Sequence, residues 1–400
     1  MKYVLAVLLG KTLRGLIRRL RPGGGSALPG LIISKIWPNF LSDTLSKLPR
    51  GIVIVSGSAG KSSTTNLLSR ILTSHGLRVF TNNSTANIKQ GLLSAVIASM
   101  SLSGRFDYDI AVLEVDEGHI RPLLELHPRL AILTNVLSDQ LDRFNDPSFV
   151  LARLAEVAES VETVVINGDD TNLNQLKFAK APLVVGVSAA IKNSKTAPKY
   201  AFNFKKAKQL RSEATVFGKE HLEIRFAKQK LATSSTRAEH ALNDALALVA
   251  ASQLLDLNFQ LVQKDLTNPN RVFARNETVS IRGRKVNLRL VQNPTSFQLN
   301  LDELKGDEKP LMLMAGSDIH DPSWLWTVDF SKLRSVDVVG GSNAHDLALR
   351  LYFAGVEVRR VEKDPAVAAD LFLELPGKKH TILFSADAMR RTRRHLGLAK

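Results

Sequence analysis

The chain has 400 residues, 44% hydrophobic and 23% charged, an ordinary globular composition that excludes disordered, collagenous and coiled-coil classes. Its 54 Lys and Arg outnumber 38 Asp and Glu, for a formal charge of +16, which biases it toward anionic partners such as nucleotide phosphates, nucleic acid or a lipid surface. Cysteine is absent, so disulfides, thiolate metal sites, iron–sulfur clusters and a cysteine nucleophile are excluded.

The chain opens with an apolar run, Tyr3–Gly10, followed by Lys11, Arg14, Arg18, Arg19 and Arg21. Charge after the apolar stretch is the reverse of a secretory signal. Residues 1–40 therefore read as a basic amphipathic segment of a cytoplasmic protein, either packed or lying at the inner face of a membrane. No span reaches the roughly 18–20 uncharged apolar residues of a membrane helix. From residue 41, apolar β-branched runs alternate with helical patterns, the mark of a parallel α/β architecture. Gly51–Val55 (GIVIV) predicts a buried strand, and Lys61–His75 a helix with Leu67, Leu68, Ile71 and Leu72 on one face. Strands are predicted at Arg78–Thr81, Ile110–Val115, Leu130–Thr134 and Thr163–Asn167, with a helix over Asp146–Ser160. Residues 190–236 are Lys-rich and weakly patterned, an irregular and partly β insertion, before Ala238–Leu255 returns as helix. Asn268-Pro269-Asn270 is a turn signal that divides a domain of residues 41–270 from a second α/β domain of residues 271–400. There, Val286–Val291, Pro310–Met314, Val336–Val339 and His380–Phe384 read as strands and Ala344–Ala354 as a helix. Trp324 and Trp326 alternate as on a short strand or loop, and Arg390, Arg391, Arg393 and Arg394 read as a solvated helical face.

Between the first strand and its helix lies Ser56-Gly57-Ser58-Ala59-Gly60-Lys61-Ser62. Glycine lets such a loop turn its N–H groups toward a phosphate, and the helix N-terminus adds positive potential at the same point. Val55 stands where the longer form of this loop carries glycine, so it is the short G-x-x-G-K-S form. Lys61 would reach the terminal phosphates and the Ser62 hydroxyl would ligate Mg²⁺. The strand Ile110–Val115 ends in Leu113-Glu114-Val115-Asp116-Glu117, carboxylates at the sheet edge where open α/β folds bind ligands. Glu114 is the first candidate for the metal and Glu117 the second. Asn135 and the run Asp139–Arg143 follow the next strand at that edge. No Asn-Lys-x-Asp guanine-reading tetrapeptide occurs, which favours ATP over GTP.

GSAGKSST, LEVDE and NVLSDQLDRF, in that order, resemble the ATPase core of the Mur ligases. GGGSALPG (Gly23–Gly30), TNNSTANIKQG (Thr81–Gly91), INGDD (Ile166–Asp170) and VFARNE (Val272–Glu277) are similar to segments of the MurT subunits of lipid II isoglutaminyl synthase. So are LVQNPTSF (Leu290–Phe297), DPSWLWTVDF (Asp321–Phe330) and GGSNAHDLALRLYFAGV (Gly340–Val356). The likeness spans nearly the whole chain and is weakest at 185–236. It implies a Mur-ligase-like central ATPase domain with a parallel sheet and a smaller Rossmann-like C-terminal domain. It also implies an ATP- and Mg²⁺-dependent ligase that activates the α-carboxyl of D-glutamate in the lipid II stem peptide as an acyl phosphate. Ammonia from a GatD-like glutaminase partner would then give D-isoglutamine. The same resemblance implies Ser63, Asn135 and Arg275 at the nucleotide beside Gly57, Ser58, Ala59 and Gly60, and Asn82, Asn87 and Asp142 at the acceptor. Asp321, or failing it Asp318, is implied to complete the partner's Cys–His arrangement as the acidic third member. A chain without cysteine cannot be that glutaminase itself.

Three departures stand out. The four-cysteine zinc ribbon common in the family is missing, so no zinc is expected. Ala59 replaces the family's loop asparagine. The family's NDN-x-ADG-x-D run becomes LMAGSDIHD, which keeps only Asp318 and Asp321. The alternative function is a stand-alone amide ligase using free ammonia or an amino acid. A nucleic-acid-binding reading finds only 6% aromatic residues and no recognition motif.

Overall fold

The computed structural model describes residues 3–20, 27–82, 88–137, 147–193, 200, 210–218, 221–268, 275–291, 294–304, 309–319, 322–377 and 379–398. They form two compact units, one within residues 1–269 and the other within residues 270–400.

In the first unit, α1 (Val4–Leu20), α2 (Leu28–Ile36) and α3 (Phe40–Leu45) lead into β1 (Ile52–Ser56), α4 (Lys61–Ser74), β2 (Val79–Thr81) and α5 (Lys89–Ser99). Next come β3 (Ile110–Glu114), α6 (Arg121–Leu124), β4 (Leu130–Leu133), α7 (Pro147–Ser160), β5 (Thr163–Asn167), α8 (Thr171–Asn174), β6 (Leu183–Val187) and α9 (Ala189–Lys192). The unit ends with β7 (Ala214–Phe217), β8 (Glu223–Phe226), β9 (Gln229–Ala232), α10 (Ala238–Ser252) and α11 (Phe259–Thr267).

Its nine strands lie in the order β2-β3-β1-β4-β5-β6-β7-β8-β9. They are parallel from β2 to β7 and antiparallel from β7 to β9. All five residues of β1 are buried, as its β-branched run requires when both faces of a parallel sheet are covered. The Leu67, Leu68, Ile71 and Leu72 face of α4 shares one core with Val53 and Val55 of β1 and with α10. Alanine-rich α10 buries eleven residues, because small side chains let it lie close to the sheet. The α/β class expected from the sequence is the one observed. The described part of the Lys-rich stretch, expected as an irregular and partly β insertion, continues the main sheet as β7–β9: Ala214 and Val216 of β7 are buried while Thr215 and Phe217 are half-buried. The free hydrogen-bonding edge of β6 supplies the template for that pairing.

In the second unit, β10 (Arg275–Ile281), β11 (Arg284–Leu290), α12 (Pro294–Asp302) and β12 (Leu311–Met314) precede a 3₁₀ segment at Pro322–Thr327. There follow β13 (Ser335–Val336), β14 (Val338–Gly340), α13 (Ala344–Phe353), β15 (Glu357–Val358), β16 (Val361–Glu362), α14 (Pro365–Glu374), β17 (His380–Phe384) and α15 (Ala386–His395). The six-stranded sheet has the order β10-β11-β17-β12-β14-β16, antiparallel only at β10–β11.

Two expectations are corrected here and one is narrowed. The strand at Val336–Val339 is broken at Asp337, whose carboxylate accepts from Leu311 N (2.8 Å) and Arg359 Nη1 (2.9 Å). Trp324 and Trp326, expected on a short strand or loop, lie in the 3₁₀ segment, one buried at 8% and the other 50% exposed. Arg393 is 5% exposed and donates to Glu277 at 2.8 Å, while Arg390, Arg391 and Arg394 are exposed. The solvated face therefore consists of Arg390, Arg391 and Arg394, while Arg393 turns inward.

Candidate functional site

β1 delivers the chain into the loop Gly57–Gly60, and α4 begins at Lys61 without a side-chain cap. Gly57 and Gly60 have φ of +127° and +85°, values that side chains with a Cβ avoid. A Cβ at Gly57 would lie 2.3 Å from Thr134 Oγ1, and one at Gly60 would lie 2.4 Å from Asn243 Oδ1. The loop therefore presses against the exit of β4 on one side and α10 on the other. Asn135 clamps it there: Ser58 N donates to Asn135 O (2.9 Å), Ala59 N donates to Asn135 Oδ1 (2.9 Å), and Asn135 Nδ2 donates to Ala59 O (3.1 Å). Ser58 Oγ also accepts from Leu137 N at 3.0 Å. Ala59 takes part through its backbone alone, so the residue change at that position leaves the clamp intact.

Lys61 opens α4, and its ammonium donates to Gly57 O (2.5 Å) and to Glu117 Oε1 (2.6 Å). Glu117 starts a 3₁₀ turn beyond β3, set by the Asp116 carboxylate accepting from Gly118 N at 3.1 Å. Its side chain is fully buried, and Oε2 has no hydrogen-bond partner. Burial pushes the Glu117 carboxyl up from its ordinary value, against the pull of Lys61. Glu114 is the last residue of β3, level with Val55, and is buried. Asn82, one residue past β2, accepts from Glu114 N and donates to Glu114 O, both at 2.8 Å. The asparagine implied at the acceptor thus holds the strand end that carries Glu114. Of the two carboxylates suggested for a metal, Glu117 is the one in contact with Lys61.

These residues fit a nucleotide phosphate and its magnesium. Two glycines leave a cradle that side chains would fill, and the positive end of α4 faces it. A lysine ammonium stands beside a buried carboxylate oxygen without a partner. An anionic phosphate and an oxygen-seeking cation are the species such donors and acceptors suit. Ser62 and Ser63 occupy the first turn of α4, where a hydroxyl can join them.

Asp170, in the INGDD segment, braces the same edge. Its Oδ2 accepts from Val136 N (2.6 Å) and its Oδ1 from Asn172 N (2.9 Å), which ties the exit of β4 to the start of α8. Burial raises its pKa to about 6. A carboxyl raised from about 4 contributes stability at low pH that is lost as pH rises toward 6. The stability advantage of the natural chain over Asp170→Asn should therefore shrink by on the order of 2–3 kcal/mol between pH 4 and pH 7. Paired melts across that range check this, and parallel curves would contradict it.

Asp318 caps α15. Its Oδ1 accepts from Ser385 Oγ (2.6 Å) and Asp387 N (3.0 Å), and its Oδ2 from Ala386 N (2.9 Å). Asp321, Asn87 and Asp142 lie outside the described residues. Arg275 begins β10, and its side chain is outside them too. The residue that sequence reasoning missed is Asn243, 7% exposed against Gly60. Its one signal is a polar side chain inside the apolar run of α10.

Residues 55–251 match the Mur ligase middle domain, and residues 290–389 match the MurT ligase C-terminal domain. The chain is 26% identical to the lipid II isoglutaminyl synthase (glutamine-hydrolyzing) subunit MurT of Staphylococcus aureus strain COL, over 84% of each chain. It is 27% identical to the subunit of that name from Streptococcus pneumoniae, over 90% of this chain and 89% of the other. Among solved structures, MurF ligase from Thermotoga maritima in complex with ADP matches at a TM-score of 0.62 and 19% identity, over 89% of this chain and 83% of that one. FolC of E. coli, in complex with DHPP and ADP, matches at 0.63 and 15%, over 89% and 91%. The fold is that of the Mur ligases. No described helix is long and apolar enough to cross a membrane.

Proposed function

From the premise that this chain belongs to the Mur ligase family, with a MurT-type C-terminal domain, we propose that it amidates the α-carboxyl of D-glutamate in the lipid II stem peptide. It would do so with ATP and with ammonia from a separate GatD-like glutaminase. The observation that carries the ligase half is the Lys61–Glu117 pair set against the glycine cradle at the start of α4. The acceptor is supported by the named relatives, which match over most of both chains.

A carboxylate is a poor electrophile, and ATP supplies the phosphoryl group that makes it an acyl phosphate, from which ammonia displaces phosphate. The chain contributes position and charge, which dominate phosphoryl transfer. Lys61 offers its ammonium where negative charge gathers. Glu117, Glu114 and the Ser62 hydroxyl are the groups that would hold the metal. Gly57 and Gly60 keep side chains out of the phosphate's place.

Ammonia must come from elsewhere, because glutamine hydrolysis usually needs a cysteine nucleophile. The second unit suits a protein partner. Trp326, Tyr352 and Phe353 stand 50%, 74% and 64% exposed, with Phe353 5.5 Å from Trp326 and 5.7 Å from Tyr352. Exposed aromatic clusters of this kind are typical of interface cores.

The test is amidation of lipid II by the purified chain with ATP, Mg²⁺ and ammonium chloride, repeated with a coexpressed glutaminase and glutamine. Amidated product in either arm is expected. A folded, ATP-binding chain that makes none in both would overturn the reading. Asp321→Asn should lower glutamine-driven turnover far more than ammonium-driven turnover. Equal loss with both nitrogen sources would remove Asp321 from the partner's site.

A further inference from the structure

Fifteen large apolar side chains stand exposed among the described residues, and eight of them lie in α1, α2 and the loop after α5. On α1 they are Leu5, Leu8, Leu9 and Leu16, 68%, 43%, 36% and 49% exposed. Their spacing places them on one side of the helix. The opposite side is apolar as well: Ala6 and Val7 are fully buried, and Gly10 lies against Ile97 of α5 and Ile33 of α2. A helix whose outer side met only water would carry polar residues there. The neighbouring α2 repeats the pattern, burying Ile33 while Leu28, Leu31 and Ile36 stand exposed. Leu102, 64% exposed, belongs to the loop whose Gly104 abuts Val4.

The leucines cannot turn inward, because the inner side of α1 is fastened. The Tyr3 hydroxyl donates to Asp43, and Lys11 Nζ donates to Met100 O at 2.6 Å. α2 is tied to α5 by Gly30 N donating to Ser94 Oγ at 2.8 Å.

Charge identifies the occupant. Between residues 1 and 42 the sequence holds Lys2, Lys11, Arg14, Arg18, Arg19, Arg21 and Lys35 and no acidic residue. Two such segments would repel each other, which disfavours a second copy. The outward residues are aliphatic rather than the aromatics that stack on single-stranded nucleic acid. Leucines facing out beside an unbroken basic series are the composition of helices that lie in the headgroup layer of anionic membranes.

We infer that α1 and α2 form a docking surface for anionic lipid, which seats the nucleotide-binding unit on the bilayer. The benefit for a lipid-linked acceptor rests on the function proposed above; the binding itself does not.

The experiment is flotation of the full chain with vesicles of phosphatidylglycerol and phosphatidylcholine, against vesicles of phosphatidylcholine alone. The expected result is co-flotation with the anionic vesicles only, weakening at high salt. Leu5→Gln/Leu9→Gln/Leu16→Gln changes exposed residues only and should lower anionic binding by about tenfold or more. Lys35→Glu, also at an exposed position, should lower it less. No flotation of the folded chain, equal flotation with neutral vesicles, or unchanged flotation of the triple variant would each overturn the proposal. A concentration-dependent dimer that the triple variant abolishes would assign the face to a second copy instead. Neither variant touches the Lys61 site, so failed flotation with intact amidation sinks the lipid surface alone. Failed amidation with intact flotation sinks the proposed function alone.

Discussion

Lys61→Ala is expected to lower ATP-dependent amidation by roughly 10²–10³-fold or more, the scale on which losing one preorganised donor to developing charge is felt. The same substitution makes a second, independent prediction about stability. Glu117 is fully buried, and Lys61 is the one cation bonded to it among the described residues. Burial already raises its pKa, and Lys61 is what opposes the rise. Without Lys61 the carboxyl should take up a proton rather than stay charged in the interior. A group whose folded pKa is raised loses its contribution as pH climbs through that value. The variant should therefore melt close to the natural chain in mild acid and fall progressively below it in alkali, toward the roughly 3–5 kcal/mol of an unpaired buried charge. Glu117→Gln in the Lys61→Ala background should flatten that pH dependence without restoring turnover. Undiminished amidation by Lys61→Ala would take the nucleotide site away from this loop.

Gly60→Ala should destabilise the first unit by about 2–5 kcal/mol and disable the loop. One part is conformational, since an alanine at φ +85° costs about 1–2 kcal/mol. The other is steric: the new methyl would meet the Asn243 amide at 2.4, 2.6 and 2.7 Å, an overpacking that costs about 1–3 kcal/mol. The two parts can be separated. Asn243→Ala in the Gly60→Ala background removes the clash and leaves the dihedral strain, so stability should return in part. Gly57→Ala admits no such repair, because two of its near contacts are the Asn135 backbone N and O at 2.9 Å. Denaturant melts of the singles and the double decide this. A Gly60→Ala chain as stable as the natural one would contradict the loop geometry.

What could be read from the sequence is what depends on neighbours along the chain. The GIVIV strand, the glycine–lysine loop and the leucine face of α4 are local patterns, and each element falls within a residue or so of its expected limits. What escaped depends on distant residues. Asn243 meets Gly60 across 183 positions, and inside an apolar helix it looks like any tolerated polar residue. That Glu117 meets Lys61 follows from the sharp turn after β3, a bend that alternating hydrophobicity does not encode. Strands β7–β9 lie in the stretch expected only as irregular and partly β, because they are short and lysine-flanked; pairing onto β6 fixes where they run. In the second unit Asp318, the fallback to Asp321 in the sequence, is a helix cap, a contact with residues nearly seventy positions away.

The Asn135 clamp also bears on how nucleotide affinity arises. Many phosphate loops are slack until an anion gathers their amides, and part of the binding energy is then absorbed in quenching backbone motion. Here Ser58 and Ala59 are already tethered to the exit of β4, so little disorder remains to be removed on association. Affinity at this site should therefore follow the match of charges rather than the rigidity of the ligand, and the entropy of association should be correspondingly mild.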